Sequence, residues 1–123
     1  MTELIQFTLF PRLDERQKQL AGTLSGGEKQ MLALARGLGT DPAVLLVDEL
    51  SMGLAPLVVA ELYEAVATVA ETGVSVMVVE QFATIGLQYA DTVYVMKSGT
   101  VTYTGPPDEA MDAIHAAYLG GHA

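Results

Sequence analysis

A chain of 123 residues, half of them hydrophobic, has the size of one domain, which points to one core or a piece of one rather than two independent domains. Its formal charge of -9, with six Lys and Arg against fifteen Asp and Glu, argues against a nucleic-acid partner, because affinity for a phosphate backbone rests on basic residues; the acidity also fits solubility or adaptation to salt. No cysteine is present, so there is no disulfide framework or thiolate metal site, an absence that suits a reducing cytosol and equally suits chance in a short chain.

The N-terminal segment MTELIQFTLFPRLDER, running to about Leu20, lacks the basic start and cleavage site of a signal peptide. Ser25 followed three positions later by Glu28 is a capping box, and apolar residues at Met31, Leu32, Leu34, Ala35 and Leu38 continue it as an amphipathic helix. Gly39 and Asp41-Pro42 stop that helix. Ala43 to Val47 then reads as a buried strand that ends in two carboxylates, Asp48 and Glu49.

A second helix starts near Pro56, where proline suits the first turn, and carries Ala60, Leu62, Ala65, Val66 and Val69 towards Gly73. Val74 to Val79 is another apolar run, and two such strands joined by a helix form a βαβ unit with parallel strands covered on both faces. The fold class is therefore α/β. Beyond it, a helix is expected around Thr84 to Tyr89, and Thr92 to Met96 and Val101 to Thr104 flank Lys97-Ser98-Gly99-Thr100 as a hairpin. Gly105-Pro106-Pro107 introduces a last helix from about Asp108 to Leu119, and the tail from Gly120 to Ala123 is expected to fray.

Every apolar run is interrupted well before the roughly 20 residues that span a bilayer, so no membrane span is read. The apolar content still exceeds what a self-sufficient domain of this length needs, which leaves surface for neighbours. The methionines at 31, 52, 77, 96 and 111 fall mostly on predicted apolar faces and read as core filler.

Two places carry chemistry. Leu24-Ser25-Gly26-Gly27-Glu28 leads a helix, and its glycines let the backbone approach an anion while free amides and the positive helix end face it; the same residues also make an ordinary cap. Asp48-Glu49 leaves a strand at its C-terminal end, where one carboxylate can hold Mg²⁺ and the other orient water, or where both form a solvated acidic turn.

The order LSGGE, helix, VLLVDE, SMGLAP and VMVVEQ resembles the signature motif, Walker B strand, D-loop and switch loop of ABC (ATP-binding-cassette) ATPases, over nearly the whole chain. LAGTLSGGEKQMLALARGL, DELSMGLAPLVV and VVEQ are similar to the subunits that power branched-chain amino acid importers. LSGGEK is also similar to chromosome-maintenance and break-repair ATPases, which lack the SMGLAP and VVEQ features and carry long coiled-coil heptads that are absent here.

The resemblance implies the C-terminal part of the P-loop NTPase fold across residues 1–123, parallel strands with covering helices plus a C-terminal hairpin and helix. It implies ATP and Mg²⁺ as cofactors. Ser25 and Gly27, within Leu24 to Glu28, would contact the γ-phosphate of ATP held by an opposite subunit in a homo- or heterodimer. Asp48 would assist Mg²⁺, Glu49 would position or activate the attacking water, Gln81 would stand at the switch position usually held by histidine, and Ser51 would be available across the dimer. Membrane permease subunits would be the further partners, which places the chain in the cytoplasm on the inner face of the membrane.

Three departures accompany the likeness. Ala55 replaces the aspartate that usually ends the D-loop, Leu50 replaces the proline that usually follows the glutamate, and no glycine in the chain is followed by lysine. The phosphate loop G-x-x-x-x-G-K, followed by serine or threonine, is thus missing, and the chain enters the family pattern about midway. Three readings stay open: an ATPase portion of an importer, a non-catalytic interaction module, and a gene remnant without activity of its own.

Overall fold

A computed structural model describes residues 9–81 and 84–119, so the expected fraying of the tail from Gly120 lies outside the described residues. The chain divides into two compact units at Phe82/Ala83. The first holds α1 (Pro11–Asp14), a 3-10 turn (Ala21–Thr23), α2 (Gly26–Leu38), β1 (Val44–Asp48), α3 (Pro56–Glu71) and β2 (Ser75–Val79). The second holds a 3-10 turn (Gly86–Gln88), β3 (Val93–Lys97), β4 (Thr100–Gly105) and α4 (Pro107–Leu119).

β1 and β2 pair in parallel, from Val44 with Ser75 to Asp48 with Val79, joined through α3 as the apolar runs require. Pro56 sits in the first turn of α3, where its missing N–H costs nothing. Gly73, at φ 100°, follows the helix end in a conformation that a side chain would strain. Between these limits Val59, Leu62, Tyr63, Val66 and Val69 recur at helical spacing, and all are buried. Leu62, with no exposed surface, contributes about 2 kcal/mol by burial of its side chain.

The two strands are covered on one face only, which corrects the expectation of a fully buried sheet. Leu45 is buried, whereas Val44, Leu46, Met77 and Val79 are exposed, with Leu46 opposite Met77 in the register. A two-stranded sheet has one helical layer to bury against here, so the period-2 alternation of a half-covered strand emerges from a continuous apolar run. The methionines follow suit. Met31 is buried, but Met52, Met77 and Met96 are exposed, so core filling describes only the first of these.

In the second unit the hairpin forms as expected, with strands that extend to a two-residue turn. Ser98 and Gly99 both have positive φ, 50° and 79°, the requirement of a tight turn whose twist matches its strands. The expected helix from Thr84 to Tyr89 is reduced to the single 3-10 turn at Gly86–Gln88; six residues containing a glycine are too few to offset helix nucleation. Phe82 and Ala83 lie outside the described residues.

Candidate functional site

The first component is the start of α2. Ser25 Oγ accepts the Glu28 N–H at 3.2 Å, and Glu28 Oε1 accepts the Ser25 N–H at 3.0 Å, so the capping box closes in both directions. Glu28 Oε2 also meets Arg16 Nε at 2.8 Å. The carboxyl of Glu28 is held below its usual range, first by the Ser25 N–H and then by the Ser25 hydroxyl and Arg16, against the opposing effect of burial. Glu28 therefore faces inward, and its role in this arrangement is to shape the turn.

Ser25 is exposed, and a hydroxyl whose oxygen accepts the cap bond keeps its O–H as a donor. Gly26 and Gly27 supply first-turn amides, which have no acceptor within a helix. A Cβ at Gly27 would stand 2.5 Å from Val58 Cγ1, and one at Gly26 would stand 3.3 Å from Leu54 Cδ2. Glycine at 27 is thus required by the approach of α3, whereas Gly26 is exposed. Leu24 is buried beneath it.

The second component is the C-terminal end of the sheet. Asp48 is the last residue of β1, exposed, and opposite Val79. Glu49, also exposed, has φ 51°, a left-handed conformation that non-glycine residues adopt where their surroundings hold them, and its N–H donates to the Val79 carbonyl at 2.8 Å. Leu50, at the position of the expected proline, is among the most buried side chains of the chain. Its carbonyl accepts Gln30 Nε2 at 3.4 Å, which ties the acidic loop to α2.

Past β2, Glu80 makes the densest polar contacts of the region. Its Oε1 accepts the Ser51 N–H at 2.9 Å, its Oε2 accepts the Ser51 hydroxyl, and the phenol of Tyr63 on α3 also bonds to it. Burial first, then the Glu80 charge and hydrogen bond, push the Tyr63 phenol above its usual range. Ser51 thus directs both of its donors to its own chain, leaving acceptor capacity on its hydroxyl oxygen for any other. Gln81 follows directly and is exposed.

The predicted residues therefore gather as two groups within one unit. Asp48 ends β1, Glu49, Ser51 and Gln81 stand on adjoining loops beyond β1 and β2, and the Ser25 turn is linked to them through Gln30 and through the proximity of Gly26 to Leu54. Sequence reasoning missed Glu80, Tyr63, Arg16 and Gln30. An acidic residue ending the apolar run of β2 was the one available signal for Glu80; its partner is 29 positions away.

The donors present fit a nucleotide and its metal ion by their chemistry. A serine hydroxyl and free amides at a helix N-terminus suit a phosphate, and one exposed carboxylate suits Mg²⁺, which keeps most of its waters and takes further ligands from phosphate. Among the described residues no three His, Cys, Asp or Glu cluster as a self-sufficient metal site, and no helix is long and apolar enough to cross a membrane.

The family model for the ABC transporter domain matches residues 3–51. The high-affinity branched-chain amino acid transport ATP-binding protein BraG of Pseudomonas aeruginosa is 45% identical over 115 residues, covering 92% of this chain and 49% of the relative. A solved ATP-binding cassette of an ABC transporter superposes with a TM-score of 0.82 at 25% identity, over 94% of this chain and 47% of that one. The cbiO1 protein of Clostridium perfringens, part of the ABC transporter complex cbiONQ, gives 0.76 at 30% identity, over 89% of this chain and 45% of that one. The chain spans about half the length of the relatives it matches. With 45% identity to BraG across 92% of its own length and the fold of solved ABC transporter cassettes, the chain matches the ABC transporter ATP-binding proteins in sequence and in fold over about half of their length.

Proposed function

We propose that this chain is the signature-motif and Walker B portion of an ATP-binding subunit that drives import of branched-chain amino acids. The observation that carries the proposal is the 45% identity with the Pseudomonas branched-chain subunit across 92% of the chain, a chain that itself carries LSGGE and VVEQ.

In this reading the exposed Ser25 hydroxyl and the amides of Gly26 and Gly27 reach the γ-phosphate of ATP held by a partner subunit. Asp48 would help to hold Mg²⁺, an ion that would supply charge to offset the phosphates that the acidic loops would otherwise repel. Glu49 orients the attacking water and accepts its proton, and Gln81 donates a hydrogen bond to the phosphate without adding positive charge. Membrane permease subunits receive the resulting motion, so the chain works at the cytoplasmic face of a membrane.

Phosphate and metal contacts supply most of the transition-state stabilisation in phosphoryl transfer. Because no glycine here precedes a lysine, hydrolysis requires a phosphate loop from other sequence, preceding this segment or on another polypeptide. The same observation favours a second reading, a non-catalytic module that lends only Ser25 to Glu28 to a complete ATPase.

The experiment is to join the chain to the phosphate-loop half of the branched-chain relative and measure ATP hydrolysis. Activity that Glu49→Gln abolishes supports the first reading. Activity unaffected by that substitution, or none at all with intact folding, contradicts it.

A further inference from the structure

We propose that the Glu80 carboxylate is a positioning group that locks the loop bearing Glu49 to the loop bearing Gln81, a role that rests on the ATPase reading above. Both of its oxygens are engaged by one residue: Oε1 by the Ser51 N–H at 2.9 Å and Oε2 by the Ser51 hydroxyl. A two-point contact fixes orientation as well as distance, which one hydrogen bond does not.

The contact lies where orientation matters. Glu49 N–H donates to the Val79 carbonyl at 2.8 Å, and Ser51 is anchored to Glu80, so residues on both sides of Leu50 are tied to consecutive positions at the end of β2. Glu49 itself has a left-handed backbone, φ 51°, of the kind that persists only where flanking contacts hold it. Releasing Ser51 frees the loop on one side of that residue and leaves the Val79 bond alone to hold it.

Glu80 is in turn anchored to the core. Tyr63 is 3% exposed on the buried face of α3, and its phenol bonds to the same carboxylate. Tyr63 thus stays a neutral donor, and the carboxylate gains a support that does not move with either loop. Three donors on one half-buried carboxylate are more than a solvated surface glutamate collects, and their common effect is to set where the backbone of Glu49 and of Gln81 stands.

The test uses the chain joined to the phosphate-loop half of the branched-chain relative, with Glu80→Gln, Ser51→Ala, their combination, and Ser51→Thr. Glu80→Gln keeps the side-chain volume but leaves one acceptor oxygen, and Ser51→Thr keeps the hydroxyl. Glu80→Gln and Ser51→Ala are expected to lower kcat roughly 10-fold or more, the scale on which misplaced catalytic groups act, with KM for ATP within about twofold. The double variant is expected to lose no more than the worse single one, because both remove the same contact. Ser51→Thr is expected to keep nearly full kcat.

In the unjoined chain, the Ser51 amide proton is expected to move upfield on Glu80→Gln, which reads the contact without any turnover. An unsubstituted assembly that hydrolyses ATP, with kcat unchanged by Glu80→Gln and Ser51→Ala, overturns the positioning role. An unmoved Ser51 amide overturns the contact itself. No hydrolysis by the unsubstituted assembly overturns the ATPase reading instead, so the two failures are told apart.

Discussion

Ser25 and Glu28 each satisfy a backbone amide of the other, at 3.2 and 3.0 Å, and this closed ring leaves the serine O–H pointing its donor capacity away from the helix it caps. One side chain can therefore serve two ends: its oxygen holds the first turn of α2, and under the proposed function its O–H would donate to a phosphate. Substitutions can separate the two roles. Ser25→Ala is expected to destabilise the chain by about 1 kcal/mol, the usual cost of a lost N-cap, read as a lower denaturant midpoint. Ser25→Asp, which caps equally well, is expected to leave that midpoint nearly unchanged.

The same ring makes stability depend on pH with a definite sign. The Glu28 carboxyl titrates below its unfolded value, so its contribution is fully present above that ordinary carboxylate value and is lost as pH falls through the lower folded one. Unfolding by urea at neutral and acid pH is expected to show a loss of stability in the wild-type chain that is smaller in Glu28→Gln. An equal loss in both would remove Glu28 from the account.

Gly27 is set by packing. An alanine there would put its Cβ 2.5 Å from Val58 Cγ1, so Gly27→Ala is expected to destabilise by about 1–3 kcal/mol through overpacking. Adding Val58→Ala removes the obstructing methyl groups and is expected to recover part of the loss, measured in a double-mutant cycle as a double variant less destabilised than the sum of the two single ones.

Leu50 stands where the resemblance to the family leads one to expect proline, and its side chain is almost fully buried. Leu50→Ala is expected to cost about 2–5 kcal/mol in chemical denaturation, as core truncations do. A value under about 1 kcal/mol, typical of surface changes, would contradict the burial of this side chain.

The elements that local chemistry dictates were legible in the sequence. Pro56 and Gly73 bracket α3, Ser25 and Glu28 open α2, and Ser98-Gly99 turns the hairpin, each by a conformational preference confined to a few residues. What the sequence hid was set by neighbours in space. Leu46 and Met77 look like core residues in an apolar run, yet they face outward because one helical layer covers β1 and β2. Glu80 carries no periodic signal, and its meeting with Ser51 and Tyr63 depends on the βαβ crossover that brings the two strand ends together. The expected helix at Thr84 failed for want of length, a cost that tertiary contacts did not offset there.

The proposed function requires the Ser25 turn to close over a nucleotide held by another chain. The direct measurement is calorimetric titration of this chain into a complete branched-chain ATP-binding subunit whose catalytic glutamate is replaced by glutamine, with and without MgATP, using wild type and Ser25→Asp. Binding that requires MgATP and weakens at least about 10-fold in Ser25→Asp, whose cap is intact but whose charge opposes the phosphate, is the predicted result. Association of equal strength without nucleotide, or undiminished in Ser25→Asp, would contradict it.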